Sequence, residues 1–284
     1  MSASFDQMGP ARLNWPVILS VPHAGRDYPD ALEEHCRFAP QHLRGLEDRY
    51  ADFLVAHAEK AGFTGLIART PRTWIDLNRA EQDLDPAMLT QALGPAPYLS
   101  AKARGGLGLI PRRTASLGDI WRHKLTPEHV RTRIAQSYRP YHLTLNALLK
   151  AAKQQFGGAI LLDVHSMPPL PETRSGPPPD IVIGDRFGRS AARHLTAQIA
   201  MRAQAAGFRT TFNAPYAGGH ILDQHAQPDK NIHGVQLEID RRLYLDADLA
   251  EPGQGLTNIQ NLIADIAQHL ADALQAEAYP LAAE

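Results

Sequence analysis

The fold predicted for this chain is α/β: a three-layer α/β/α sandwich around a mostly parallel mixed sheet. Three observations predict it. Short apolar, β-branched runs recur along the chain, "PVILSV" (16–21) and "AILLDV" (159–164) being the most continuous. Such runs suit strands covered on both faces. Stretches of helical periodicity stand between them, and strands alternating with helices imply parallel pairing. Two of the runs also deliver a histidine where the chain turns, His23 in "VPHAG" and His165 in "LLDVHSMP".

Taken in order, strand 16–21 is followed by "PQHLRGLEDRYADFLVAHAEKAG" (40–62), where Leu43, Leu46, Tyr50, Phe53, Leu54 and Ala58 recur at helical intervals and Gly62 ends the pattern. A strand is predicted over 63–69. Residues 80–126 are dense in Pro, Gly and Arg and are read as a loop layer over a site. Thr126, Pro127 and Glu128 open a helix over 126–157 as N-cap, first position and first-turn acid, and Pro140 is expected to break or kink it. Then come strand 159–164, a proline-rich loop 165–179, strand 180–184, helix 188–206, strand 208–213, a Gly/Pro/His loop 214–234, strand 235–240 and a closing amphipathic helix near 254–277. One domain spanning 1–284 is expected.

Composition narrows the function. Among 284 residues, 44% are hydrophobic and 21% charged, with a net charge of −1, so no global field draws the chain to nucleic acid or a membrane surface. A lone cysteine, Cys36, excludes an internal disulfide framework and a multi-cysteine zinc ribbon. The N-terminal stretch has no charged n-region followed by an apolar h-region. No apolar run approaches the roughly 18 residues that span a bilayer. Cytoplasmic location and a small-molecule partner are the expectations.

Ligands of open α/β sheets gather beyond the carboxyl ends of the strands. His23, His165 and Glu238 all fall at or near such ends. A catalytic zinc site needs three His, Asp or Glu ligands and an open position. "LEDRYAD" offers Glu47, Asp48 and Asp52; on a helix Asp48 and Asp52 share a face and Glu47 lies on another, and spacing alone does not choose among them. In "WIDLNRAEQDLDP", Asn78 and Arg79 suit a clamp for a substrate carboxylate, with an Asp76–Arg79 structural ion pair as the competing use. His220, after Gly218 and Gly219, is a candidate donor to an oxyanion, with a simple tight turn as the competing use of that loop. There is no G-x-S-x-G elbow, H-E-x-x-H helix or phosphate loop, and Pro111 spoils the dinucleotide pattern in "GGLGLIP".

In this order, "VPHAG", "EDRYAD", "DLNR", "GLGLIPR", "LLDVHSMP", "PDIVIGDRFG", "NAPYAGGHI" and "QLEIDRRLYLD" resemble the N-formylglutamate amidohydrolase family over about residues 16–246. That resemblance implies a zinc-exopeptidase-like sandwich and hydrolysis of N-formyl-L-glutamate to formate and L-glutamate, as in histidine degradation. It implies one zinc ion per chain on His23, Asp48 (Glu47 being the alternative) and His165, with Glu238 as general base. Asn78 and Arg79 would hold one substrate carboxylate and Arg112 or Arg113 the other. A deacylase or exopeptidase for another N-acyl amino acid, and an inactive ligand-binding protein, are the competing readings. The sequence departs from the family at Asp240, where Asn commonly precedes the first arginine.

Overall fold

A computed structural model describes residues 3–93, 99–114, 116–172 and 176–278, the side chains of 277 and 278 apart. Residues 94–98 and 115 of the expected loop layer, and 173–175 of the proline-rich loop, lie outside them. The chain divides into two compact units: Met1–Asp6, Pro22–Arg49 and Ile67–Thr144 form one, and Gln7–Val21, Tyr50–Leu66 and Leu145–Glu284 the other.

Among the described residues there are nine strands: β1 (Phe5–Met8), β2 (Val17–Val21), β3 (Thr64–Ala68), β4 (Arg113–Thr114), β5 (Gly118–Asp119), β6 (Ala159–Met167), β7 (Ile181–Gly184), β8 (Thr210–Phe212) and β9 (Ile232–Asp240). Seven of them make one sheet in the order β1-β3-β2-β6-β9-β7-β8, and β4 and β5 pair separately as a hairpin. Parallel pairing joins β2 to β6, β6 to β9 and β7 to β8; β7 runs antiparallel to β9. Every residue of β2, β6, β7 and β9 is buried, which requires cover on both faces and explains why β2, β7 and the first half of β6 read as apolar runs. The predicted α/β class is the observed one, a mostly parallel sheet flanked by helices.

In the second unit, helix Leu256–Ala278 packs on helices Arg193–Ala205, Ala51–Leu54 and Ala56–Lys60. Its buried stripe, Ile259, Ile263, Ile266, Leu270 and Leu274, has the three-and-four spacing of one helical face. No helix among the described residues is long and apolar enough to cross a membrane.

Several elements depart from the predicted boundaries. The helix expected over 40–62 is broken: helical turns at Pro40–Leu43 and Arg44–Leu46 give way to extended backbone at Glu47 (φ −73°, ψ 148°), and Tyr50 adopts the left-handed conformation (φ 57°) before helix Ala51–Leu54 begins. Asp48 and Asp52 therefore share no helical face. Helix 126–157 opens as predicted, with Thr126 Oγ accepting from the His129 N–H at 3.2 Å. At Pro140 it neither stops nor breaks; a π turn at Ile134–Tyr138 precedes the proline, and helix Arg139–Phe156 continues. A wider turn there accommodates a residue with no N–H to donate. β6 extends three residues past the predicted end, so His165 is a strand residue rather than the start of a loop. The predicted 214–234 loop contains helix His220–His225, and β9 begins at Ile232.

Gly65 shows how closely β3 approaches β2: a Cβ there would sit 2.5 Å from the Leu19 carbonyl oxygen and 2.7 Å from Leu19 Cβ. Gly65→Ala is expected to lower stability by about 1–3 kcal/mol through overpacking, read as a drop in the urea midpoint with an unchanged m-value.

Candidate active site

The segment that follows β2 is built around His23. Gly25 is required two residues later because any Cβ there would fall 2.1 Å from the Thr70 carbonyl oxygen. His23 is buried, and its Nε2 lies 2.7 Å from Oδ1 of Asp76. Asp76 is wholly buried; its Oδ1 also accepts from the Asn78 backbone N–H at 2.8 Å, and its Oδ2 accepts from Arg72 Nε at 2.8 Å. Burial pushes the Asp76 carboxyl up, but Arg72, His23 and Arg79 together outweigh it and hold it well below the usual carboxylate range. An ionised Asp76 takes the proton-bearing Nε2 of His23, which leaves Nδ1 towards Asp48, whose Oδ2 is 3.5 Å away. Arg133 anchors the same turn: its guanidinium stacks 3.6 Å from the Trp74 ring centroid, and Nη1 donates to the Trp74 carbonyl.

The break in the predicted 40–62 helix decides which carboxylate faces His23. The Asp48 backbone N–H donates to the His23 carbonyl at 3.0 Å. Glu47 instead accepts from Tyr28 Oη at 2.5 Å and from Arg49 Nη1 at 3.1 Å. Burial, then the neighbouring Glu47, push the Tyr28 phenol up, so it remains the donor. Asp52 lies on the following helix.

On β6, Asp163 and His165 are two residues apart and so share a face of the sheet. Asp163 Oδ2 lies 2.9 Å from His165 Nε2, and its Oδ1 accepts from Ser20 Oγ at 2.7 Å. Ser20 is the β2 residue in register with Asp163. Glu238 on β9 is in register with His165, and its Oε1 accepts from Gln236 Nε2 at 2.8 Å. All five side chains are buried. His23, Asp48 and His165 each offer one ligand atom, and the three atoms lie within 4.8 Å of one another, a group that could hold a metal ion.

The other predicted site residues are placed as follows. Asn78 and Arg79 are buried in the turn after Asp76. Arg79 donates through Nε to the Leu107 carbonyl at 2.9 Å and through Nη1 to the Asn78 carbonyl at 2.8 Å, and it lies 3.8 Å from Asp76 Oδ2. Arg112 bridges two carboxylates, Asp85 at 2.7 Å and Asp119 at 2.9 Å. Arg113 is exposed on β4. His220 opens helix His220–His225. The departure at Asp240 is a cap: Asp240 accepts from the Arg242 backbone N–H at 2.9 Å and pairs with the Arg242 guanidinium at 2.6 Å.

Sequence reasoning passed over Ser20, Asp163, Gln236 and His225. For Asp163 and Gln236 the signal was available, since each stands two residues before a named site residue on the same strand face. Ser20 was the one polar residue in an apolar strand. His225 gave no signal beyond its identity. Burial, with His220 adding to it and Asp163 opposing, pushes the His225 imidazole down to about 4.

The fold and these side chains define a class: an α/β protein with a buried two-histidine, one-carboxylate group and a further carboxylate in register with one of the histidines. The N-formylglutamate amidohydrolase family model matches residues 15–245, and the chain belongs to that family. It is 31% identical over 254 residues to an N-formylglutamate deformylase of Pseudomonas putida, covering 84% of this chain and 88% of that one. A Pseudomonas aeruginosa enzyme of the same name is 30% identical over 250 residues, with 83% and 87% covered. The crystal structure of N-formylglutamate amidohydrolase from Ralstonia eutropha JMP134 superposes with a TM-score of 0.89 at 31% identity, covering 97% and 99% of the two chains. The Agrobacterium tumefaciens gene product Atu2144, 18% identical with a TM-score of 0.70 over 96% and 97%, shares the fold.

Asp76→Asn removes a buried charge that serves Arg72, His23 and Arg79, and is expected to cost about 3–5 kcal/mol, measured by urea unfolding with chelator present. His225 makes the protein acid-sensitive in a defined window. Its folded value lies below the ordinary 6.5, so the unfolded chain binds the extra proton first. Stability from this residue is complete above about pH 6.5 and falls as pH drops towards 4, by about 3 kcal/mol in all. His225→Leu should flatten that part of a stability-versus-pH curve taken with chelator.

Proposed function

We propose that the chain is a metal-dependent amidohydrolase that cleaves N-formyl-L-glutamate to formate and L-glutamate, as a step of histidine breakdown. The observation that carries the proposal is the buried His23–Asp48–His165 group in a member of this family. The substrate is supported by the two Pseudomonas relatives, which bear the deformylase name. Two nitrogens and one oxygen suit a catalytic zinc site. The second shell fits as well, because each histidine meets a carboxylate through Nε2, the arrangement that prepares Nδ1 as a metal donor. A divalent metal bound there supplies Lewis acidity towards the formyl carbonyl and lowers the pKa of water.

The chain's own residues do the rest. Glu238, held through Oε1 by Gln236, takes a proton from the attacking water and passes it to the leaving amine nitrogen. The C–N bond breaks, formate departs with the water oxygen, and the second water proton also ends on the leaving nitrogen, so glutamate leaves as its ammonium form. Arg79, its guanidinium plane fixed by the Leu107 and Asn78 carbonyls, grips one substrate carboxylate with Asn78. Arg113 receives the second carboxylate, and His220 donates to the carbonyl oxygen as charge develops on it. Arg112, bridging Asp85 and Asp119, holds its own loop rather than the substrate. A cytoplasmic setting accords with a single, buried cysteine.

Glu238→Gln is expected to reduce kcat about 10²–10⁴-fold with metal content unchanged; turnover within a few-fold of the parent would reject Glu238 as the base. An assay for the released amino group, comparing formylglutamate with acetylglutamate, formylaspartate and formylated neutral amino acids, tests the substrate. Preference for a neutral side chain would overturn the glutamate assignment. Activity that survives exhaustive chelation would overturn the metal.

A further inference from the structure

We propose that Ser20 and Asp163 are positioning residues for His165, a hydrogen-bonded relay that sets which ring nitrogen it offers and how tightly it holds a metal. The inference rests on the reading of His165 as a ligand. It begins from an anomaly in β2: within "VILSV" a wholly buried hydroxyl interrupts an otherwise apolar strand. A buried hydroxyl without a partner costs about 1–3 kcal/mol, so a serine there needs a reason. Its partner is Asp163, directly across the β2–β6 register, at 2.7 Å.

Asp163 is wholly buried too, and a carboxylate in that position is far more costly than the serine unless its oxygens are satisfied. Ser20 answers Oδ1, and His165 Nε2 answers Oδ2 at 2.9 Å. Nothing beyond strand geometry is needed to align the three groups. Asp163 and His165 share a face by their two-residue spacing, and Ser20 shares it by register. A histidine that donates from Nε2 to a carboxylate keeps its lone pair on Nδ1, and the charge behind it raises the ring's basicity as a ligand. Ser20 in turn fixes the carboxylate's rotamer, so that Oδ2 rather than a rotated edge faces the ring. A merely structural chain of hydrogen bonds would stabilise the sheet without altering the imidazole.

Zinc affinity by chelator competition and histidine side-chain ¹⁵N NMR on chelator-treated protein separate the two. The parent should bind one zinc and show His165 as the Nε2–H tautomer. Asp163→Asn, which keeps the shape and loses the charge, should weaken zinc binding about 10–100-fold while circular dichroism stays native. Ser20→Ala should weaken it by less, about three- to tenfold as a share of that range, with Ser20→Thr restoring affinity by returning the hydroxyl. Should Asp163→Asn fail to fold, the Ser20 pair and the parent's tautomer still decide. Parental affinity in Ser20→Ala, or an Nδ1–H tautomer in the parent, overturns the relay. A parent that binds no zinc at all, yet shows the Nε2–H tautomer, overturns the metal reading and leaves the tautomer assignment standing.

Discussion

The register that pairs β2 with β6 and β6 with β9 is the constraint on which much of the site depends. Because the strands run parallel and in step, Ser20 stands beside Asp163 and His165 beside Glu238. Strand pleating then turns Ser20, Asp163, His165, Gln236 and Glu238 to one face. A slip of one residue in β6 would send Asp163 and His165 to the other face and bring Leu162 and Val164 in their place. Such a slip is costly, since it would exchange buried hydrocarbon for buried charge on the opposite face.

The second requirement is electrostatic. The buried carboxylates Asp76 and Asp163 are each held by a set of partners. Asp76 is answered by His23, Arg72 and a backbone N–H, and Asp163 by Ser20 and His165. Each histidine of the candidate centre thus meets a carboxylate through one nitrogen and keeps the other for a ligand. Arg133, stacked on Trp74 and donating to its carbonyl, steadies the turn that carries Asp76, Asn78 and Arg79.

The broken helix around residues 47–50 shows propensity yielding to these demands. Helical periodicity through "LEDRYADF" is genuine, and residues on both sides of the break are helical. A continuous helix, however, would bond the Asp48 N–H to its own preceding turn. The structure bonds it to the His23 carbonyl and accepts a left-handed Tyr50, a conformation uncommon for a non-glycine residue. Backbone irregularity of this kind gathers where a side chain must be aimed, and here the side chain aimed is Asp48.

Much of the architecture was written in one dimension. Apolar runs marked β2, β6 and β7 because strands covered on both faces draw mainly on hydrocarbon, and Thr126 with Pro127 marked a helix start because capping is local chemistry. His23, His165 and Glu238 were legible for a related reason: a polar residue closing an apolar strand is conspicuous in any sequence. What sequence could not decide was anything set by a partner distant along the chain. Three carboxylates in seven residues looked equivalent until Tyr28 and Arg49 claimed Glu47 and the His23 carbonyl claimed Asp48. That Arg112 pairs with Asp85 and Asp119 was likewise invisible in one dimension. The partner of Ser20 is set only by register, which stands it against Asp163. Burial pattern is a property of the chain's own order, whereas hydrogen-bond partnership belongs to the folded arrangement, and only the tertiary structure supplies it.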